Sequence, residues 1–96
     1  MDFSEAIRFR RVVAFTYDGH PRVVIPAAYG RHVSTGNLVL RAYQTGGTST
    51  SRAVPFWTLF RVDKIVSPHF TGEVFVENPK DYKIGDEDID PILSEL

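Results

Sequence analysis

Trp57-Thr-Leu-Phe-Arg-Val-Asp-Lys-Ile65 carries a polarity pattern that suits only one kind of surface. Read with period two, Trp57, Leu59 and Arg61 fall on one side and Thr58, Phe60 and Val62 on the other. Two apolar side chains thus lead one face up to a cation. Asp63 breaks the run, Lys64 follows, and Ile65 resumes an apolar course. The stretch predicts a strand, a tight turn and the start of the next strand, with Arg61 and Lys64 at the rim of a small β domain.

Upstream, turn residues punctuate runs of β-branched and aromatic side chains. Asp2, followed three residues later by Glu5, suits a helix start, and Phe3, Ala6 and Ile7 line one side of a short helix ending near Arg11. Val12 to Tyr17 reads as the first strand, closed by the Asp18-Gly19 turn. Pro21 to Ile25 begins the second, with Pro26 marking a bend or an edge and Tyr29 to Val33 continuing beyond it. Ser34 to Asn37 turns into a third strand, Leu38 to Tyr43. There Leu38, Leu40 and Ala42 share one face, and Val39, Arg41 and Tyr43 share the other. Thr45 to Arg52 has no apolar residue and two glycines, and predicts a mobile loop.

Downstream, Ile65-Val66 and Phe70 to Val76 predict a fifth strand, interrupted at Pro68 or Gly72. From Asn78 Pro, Asp and Gly accumulate, predicting an extended acidic tail over residues 78–96, with a short docking turn at Ile89 to Leu96. One helix followed by five short strands is the order of a mainly β fold. We expect a small SH3-like or Sm-like five-stranded antiparallel barrel with one N-terminal helix, occupying residues 1–77. A split antiparallel sheet with the helix on one face is the alternative.

Composition narrows the function classes. The 96 residues suffice for one modest core. With no cysteine, disulfides, thiolate metal sites and cysteine nucleophiles are excluded. Without an apolar run of spanning length, a membrane role is not expected, and a cytoplasmic location is the default. Residues 1–64 hold nine Lys/Arg against four acids, a net +5, whereas residues 65–96 hold two lysines against eight acids, a net −6. A basic body with an acidic tail suits an anion-binding surface, one that its own tail can shield; the plainer alternative is a solvated surface with a disordered end.

Four segments, in residues 4–70, resemble the WYL domain, an Sm-like barrel module of bacterial and phage proteins. Ala6-Ile-Arg…Phe15-Thr-Tyr17 is similar to the family's helix-to-strand opening, and Arg22-Val-Val-Ile-Pro26 to its R-x-V-x-P segment. Leu38-Val-Leu-Arg-Ala-Tyr43 falls at the naming strand, and Phe60-Arg-Val-Asp-Lys-Ile65 is similar to the F-R-L-D-R-I signature. Val39 replaces the naming tyrosine, Arg41 adds a cation two residues on, and Lys64 stands where arginine is usual.

The resemblance implies a ligand sensor for a nucleotide or single-stranded nucleic acid on a basic, aromatic-lined face. Tyr17, Arg22, Arg41, Tyr43, Arg61 and Lys64 are the residues that would carry it. Arginines grip phosphate by paired hydrogen bonds, and Tyr17 and Tyr43 offer faces for a base. Two of the six have a plainer reading: Arg61 as a salt bridge to Asp63 or a tail carboxylate, and Tyr43 as core; Trp57, outside this set, reads as core or interface ahead of a base platform. Gly46 to Arg52 is weighed as an anion cradle, against a flexible hairpin. The acidic tail is weighed as an internal mimic of nucleic acid, against a disordered end. His20, His32 and His69 lack metal-ligand spacing, and no nucleophile has an evident base. We therefore expect a non-catalytic module without cofactor or metal. A protein partner or homo-oligomer, formed through exposed strands and Phe56, Trp57 or Phe70, is the alternative.

Overall fold

The computed structural model describes residues 1–96. A short helix, α1 (Phe3–Arg8), precedes β1 (Arg11–Tyr17), β2 (His20–His32), β3 (Leu38–Gly47) and β4 (Phe56–Arg61). One 3₁₀ turn (Val62–Lys64) leads into β5 (Val66–Val74), and β6 (Ile89–Glu95) closes the chain. The fold is mainly β, as expected, but it has six strands and not five. All pairings are antiparallel, in the order β4-β3-β2-β1-β5, with β6 added to β2.

The helix is shorter than its apolar pattern predicts. The Asp2 carboxylate accepts from the amides of Ser4 and Glu5 at 2.9 and 3.3 Å, capping the start. Arg10, at φ +54°, takes the left-handed conformation and turns the chain into β1, ending the helix before Arg11.

Strand β2 organises the sheet. Along one edge Arg22 to Arg31 pairs with β3. The other edge is divided, with His20 to Val24 facing β1 and Ala28 to His32 facing β6. Pro26 does not break the strand or sit at an edge, as its ring suggested. It is fully buried, and a bulge between Pro26 and Ala28 absorbs the irregularity where an N–H is missing. Strand β5 likewise runs on past Pro68 and Gly72, taking up strain at Ser67 (φ +53°) and Gly72 (φ +96°).

The main core lies on one face of the sheet, where Phe3, Ala6 and Ile7 of α1 pack on Val13, Phe15, Val24, Leu40, Ala42 and Phe60. A smaller cluster of Ala28, Val39 and Ile89, joined by Leu59 and Ile92, occupies the opposite face. That cluster corrects the expected extended tail: Ile89–Glu95 is a strand that buries Ile89 and half-buries Ile92, while Leu93 stays exposed. Its close approach depends on Gly30, where a Cβ would collide with the Pro91 carbonyl and the Ile89 side chain.

The segment expected as a mobile loop is largely tethered. Thr45 to Gly47 completes β3. The Gln44 side-chain amide donates to the Gly46 and Thr48 carbonyls at 3.0 Å each, and the Thr48 amide donates to Pro21 O at 2.9 Å. No helix is long and apolar enough to cross a membrane.

Candidate binding face on strands β3 and β4

Register fixes which side chains meet. Tyr43 pairs with Trp57, Arg41 with Leu59 and Val39 with Arg61. Because side chains alternate, these six residues share one face, opposite the core positions Leu40, Ala42 and Phe60. Two arginines and two aromatic rings thus lie on one side of neighbouring strands. Tyr43 and Trp57 meet with ring centroids 5.1 Å apart.

This face is covered by residues between β5 and β6. The Trp57 indole N–H donates to the Lys80 carbonyl at 2.9 Å, and the Tyr82 ring lies 6.4 Å from that of Trp57, tilted by 34°. Arg41 donates through Nε to Asp86 Oδ2 and through Nη2 to Asp88 Oδ2, both at 2.7 Å. The Asp88 amide donates to Asp86 Oδ1 at 3.0 Å, holding that carboxylate in place. A cleft of about 410 Å³ remains between segment and sheet, lined by Trp57, Tyr82 and Ile84 among apolar groups and by Arg41, Asp86 and Asp88 among charged ones.

The electrostatics follow from this packing. Burial works against the Arg41 charge, but the hydrogen bonds and charges of Asp86 and Asp88 outweigh it, so its pKa is raised. Burial also works against an ionised Asp86, yet the Arg41 hydrogen bond, the Asp88 amide and the Arg41 charge hold its carboxyl below the usual carboxylate range. Tyr82 is raised by burial, and further by the charges of Glu95 and Asp86.

The six residues singled out from the sequence divide into two groups. Arg41, Tyr43 and Arg61 lie on the outer face of β3 and β4. Arg61 does not converge with Arg41 on a shared anion: its Nε and Nη2 hold Asp63 at 3.1 and 2.7 Å, one turn away. Lys64 ends the 3₁₀ turn, exposed and without an ion pair.

Tyr17 and Arg22 belong to the interior side. Arg22 is 6% exposed, donates to Gln44 Oε1 at 3.1 Å and to the Tyr17 carbonyl at 3.1 and 3.4 Å, and has no carboxylate partner. Its guanidinium carbon lies 5.6 and 5.7 Å from the centroids of the Tyr17 and Phe60 rings. The Tyr17 hydroxyl accepts from the Arg61 amide at 3.2 Å. Both residues therefore bind β1, β3 and β4 together at one end of the core.

Tyr82 and the Lys80 carbonyl were not foreseen as part of the face. An aromatic residue within a Lys/Asp-rich stretch was the available signal. The sequence did raise the acidic tail as an internal mimic, and Asp86 and Asp88 are its contacts on Arg41. The stretch Gly46 to Arg52, weighed as an anion cradle against a flexible hairpin, is internally bonded. Ser49 Oγ accepts from the amides of Ser51 and Arg52, and Arg52 Nη1 donates to the Trp57 carbonyl at 2.9 Å.

The histidines are dispersed among local partners. His20 meets Thr48 Oγ1 at 2.9 Å, His32 Nδ1 accepts from the Ser34 amide, and His69 meets the Ser67 carbonyl. No three His, Asp or Glu side chains are grouped as a metal ion requires. The face offers cations, rings and a cleft, which is chemistry for holding a ligand. No family model, curated protein or solved structure matches the chain.

Proposed function

We propose that this chain is a non-catalytic binding module of WYL type that recognises a nucleotide or single-stranded nucleic acid on the outer face of β3 and β4. The observation that carries the reading is the grouping of Arg41 with the Tyr43–Trp57 ring pair on one face. A guanidinium takes phosphate oxygens by paired hydrogen bonds, and a neighbouring ring takes a base. Arg41 and Trp57 stand diagonally across the two strands, about 7–8 Å apart at the backbone, the scale of a single nucleotide. Tyr17 and Arg22 support the face from behind by fixing the strands that bear it.

An SH3-like or Sm-like barrel accords with the strand order. A flat row of five strands spans about 19 Å between its edges. The edge strands β4 and β5 are joined by only Val62 to Ile65, mostly in a compact 3₁₀ turn. With about 2 Å of rise per 3₁₀ residue, that link is short for a flat row, which supports a sheet curled in the direction of a barrel.

Fluorescence anisotropy with a labelled oligothymidylate tests the reading. We expect binding at low salt that weakens roughly tenfold or more between about 50 and 200 mM salt, as phosphate contacts require. Arg41→Ala should abolish it. Equal binding by wild type and Arg41→Ala overturns the proposal, as does binding by neither wild type nor a variant in which Asp86 and Asp88 are neutralised.

A second reading is assembly through strand edges, since β4 and β5 end the row of five without a further strand beside them. Light scattering separates the two. A stable oligomer insensitive to oligonucleotide favours assembly, and a monomer removes it.

A further inference from the structure

We infer that residues 80–88 are an internal ligand, occupying the Arg41–Trp57 face in place of an external one and yielding it on binding. The inference rests on the binding function proposed above and adds what the ligand must displace. The segment presents to this face the chemical groups a nucleotide would bring. Two acidic groups bind one guanidinium, from 45 and 47 positions along the chain. A planar ring, Tyr82, lies beside the same indole that faces Tyr43. A backbone acceptor, Lys80 O, takes the indole N–H.

The way the segment is held suits exchange. It lies between β5 and β6 and contains neither helix nor strand. Strand β6 is anchored independently through β2 and the Ala28–Val39–Ile89 cluster, so residues 80–88 can lift while β6 stays paired. The remaining ties are single hydrogen bonds: Tyr82 Oη to Leu96 O at 2.8 Å, the Gly85 amide to Glu95 Oε2 at 3.1 Å, and, at the end next to β6, the Val33 amide to Asp88 O at 3.0 Å and the Ile89 amide to Asp86 O at 3.2 Å. The Asp88 side chain is 57% exposed, and an ion pair so open to water is readily traded for another anion, whereas Asp86, at 11%, is the more enclosed partner that a ligand must displace.

The ligand class follows from what must be replaced. It carries a phosphate, or two adjacent acidic groups, for Arg41 and a planar ring for Trp57. A free mononucleotide and a stretch of single strand both meet that description. Either competes with Asp86 and Asp88 for the same guanidinium donors.

The test compares wild type, Asp86→Asn/Asp88→Asn and Glu73→Gln/Glu77→Gln. Both variants remove two negative charges, but Glu73 and Glu77 are exposed and form no ion pair. Affinity for oligothymidylate and for thymidine monophosphate is measured at fixed salt. If the cover is closed in about nine molecules of ten, releasing it tightens binding about tenfold. The Asp86/Asp88 variant should show that gain and the Glu73/Glu77 variant less than about threefold. Gain with the mononucleotide as well identifies a single-nucleotide site, and gain confined to the oligomer identifies a strand.

Equal gains in the two variants, or no gain in either, overturn the internal-ligand inference while leaving the binding function intact. Absence of binding by all three proteins overturns both. A measurement on wild type stands if the Asp86/Asp88 variant fails to fold. Trp57 is the only tryptophan, so its emission should shift on ligand binding, and the Gly85 and Asp88 amides should exchange hydrogen faster in the complex. Binding with both signals unchanged also overturns the inference.

Discussion

The protein handles two arginines on opposite faces of one sheet in opposite ways. Arg22 is enclosed by neutral acceptors, Gln44 Oε1 and the Tyr17 carbonyl, and lies near two aromatic rings. Arg41 is partly exposed and bound by two carboxylates from a distant segment. A buried guanidinium satisfied by backbone and amide groups cannot leave without orphaning them. One held by carboxylates that keep some access to water, Asp88 more than Asp86, exchanges partners at lower cost. Burial and partner type thus separate a structural arginine from a candidate binding one.

The largest expected effect tests the structural half of this contrast. Arg22→Ala removes a buried side chain and leaves Gln44 Oε1 and the Tyr17 carbonyl short of a donor, which should cost about 3 kcal/mol. Urea unfolding measures it. A loss below about 1 kcal/mol would mean that Arg22 is as dispensable as a surface cation, and the contrast would fail.

Gly30→Ala comes next and acts through β6. The added methyl would meet the Pro91 carbonyl and the Ile89 side chain, so β6 must shift from β2. Overpacking of this kind costs about 2 kcal/mol. Hydrogen exchange should report the loss in β6 and residues 80–88, with the Arg22 end of the core unchanged. Uniform loosening would show that the two regions are one cooperative unit.

How much of this was legible in the sequence varies with the range of the interactions. Strands β1, β3 and β4 follow from local alternation, and Asp18-Gly19 fixes the first hairpin. That Arg41 shares a face with Tyr43, and Trp57 with Arg61, was readable because β3 and β4 alternate cleanly; that Trp57 joins Arg41 and Tyr43, and is not core, follows only from the register between the strands. Arg22 was not, since Arg22-Val24-Pro26 and Pro21-Val23-Ile25 are similarly apolar on both sides and period two cannot choose between them. Strand β6 was hidden because its acidic, proline-containing sequence reads as disordered. It forms on a remote surface, Ala28 to His32, whose small residues admit close approach. No local pattern encodes that pairing.

Arg41→Ala should cost about 1 kcal/mol, less than either change above, because Asp88 and, less so, Asp86 keep contact with water. Acid titration sharpens the point. The folded-state pKa of Asp86 is lowered, so its contribution is complete above the ordinary carboxylate value near 3.9 and is lost as pH falls through the lowered value. Arg41 is raised, and its contribution would be lost only in strong base. Wild type should therefore lose more stability than Asp86→Asn on acidification below about pH 4, while the two respond alike between pH 6 and 8. A divergence near neutrality would implicate a different group.

The smallest effect belongs to Arg61→Ala. Arg61 and Asp63 lie two residues apart, with side chains 44% and 61% exposed, and the pair closes a turn that the backbone already forms through the Ile65 amide to Val62 O. Such a pair is worth at most about 0.5 kcal/mol. Oligonucleotide binding is the sharper readout. If the site is confined to Arg41 and Trp57, Arg61→Ala weakens binding less than threefold, as one screened charge at a distance would. If it weakens binding as much as Arg41→Ala, then Asp63 is displaced along with Asp86 and Asp88, and the ligand spans the whole outer face from Trp57 to the 3₁₀ turn.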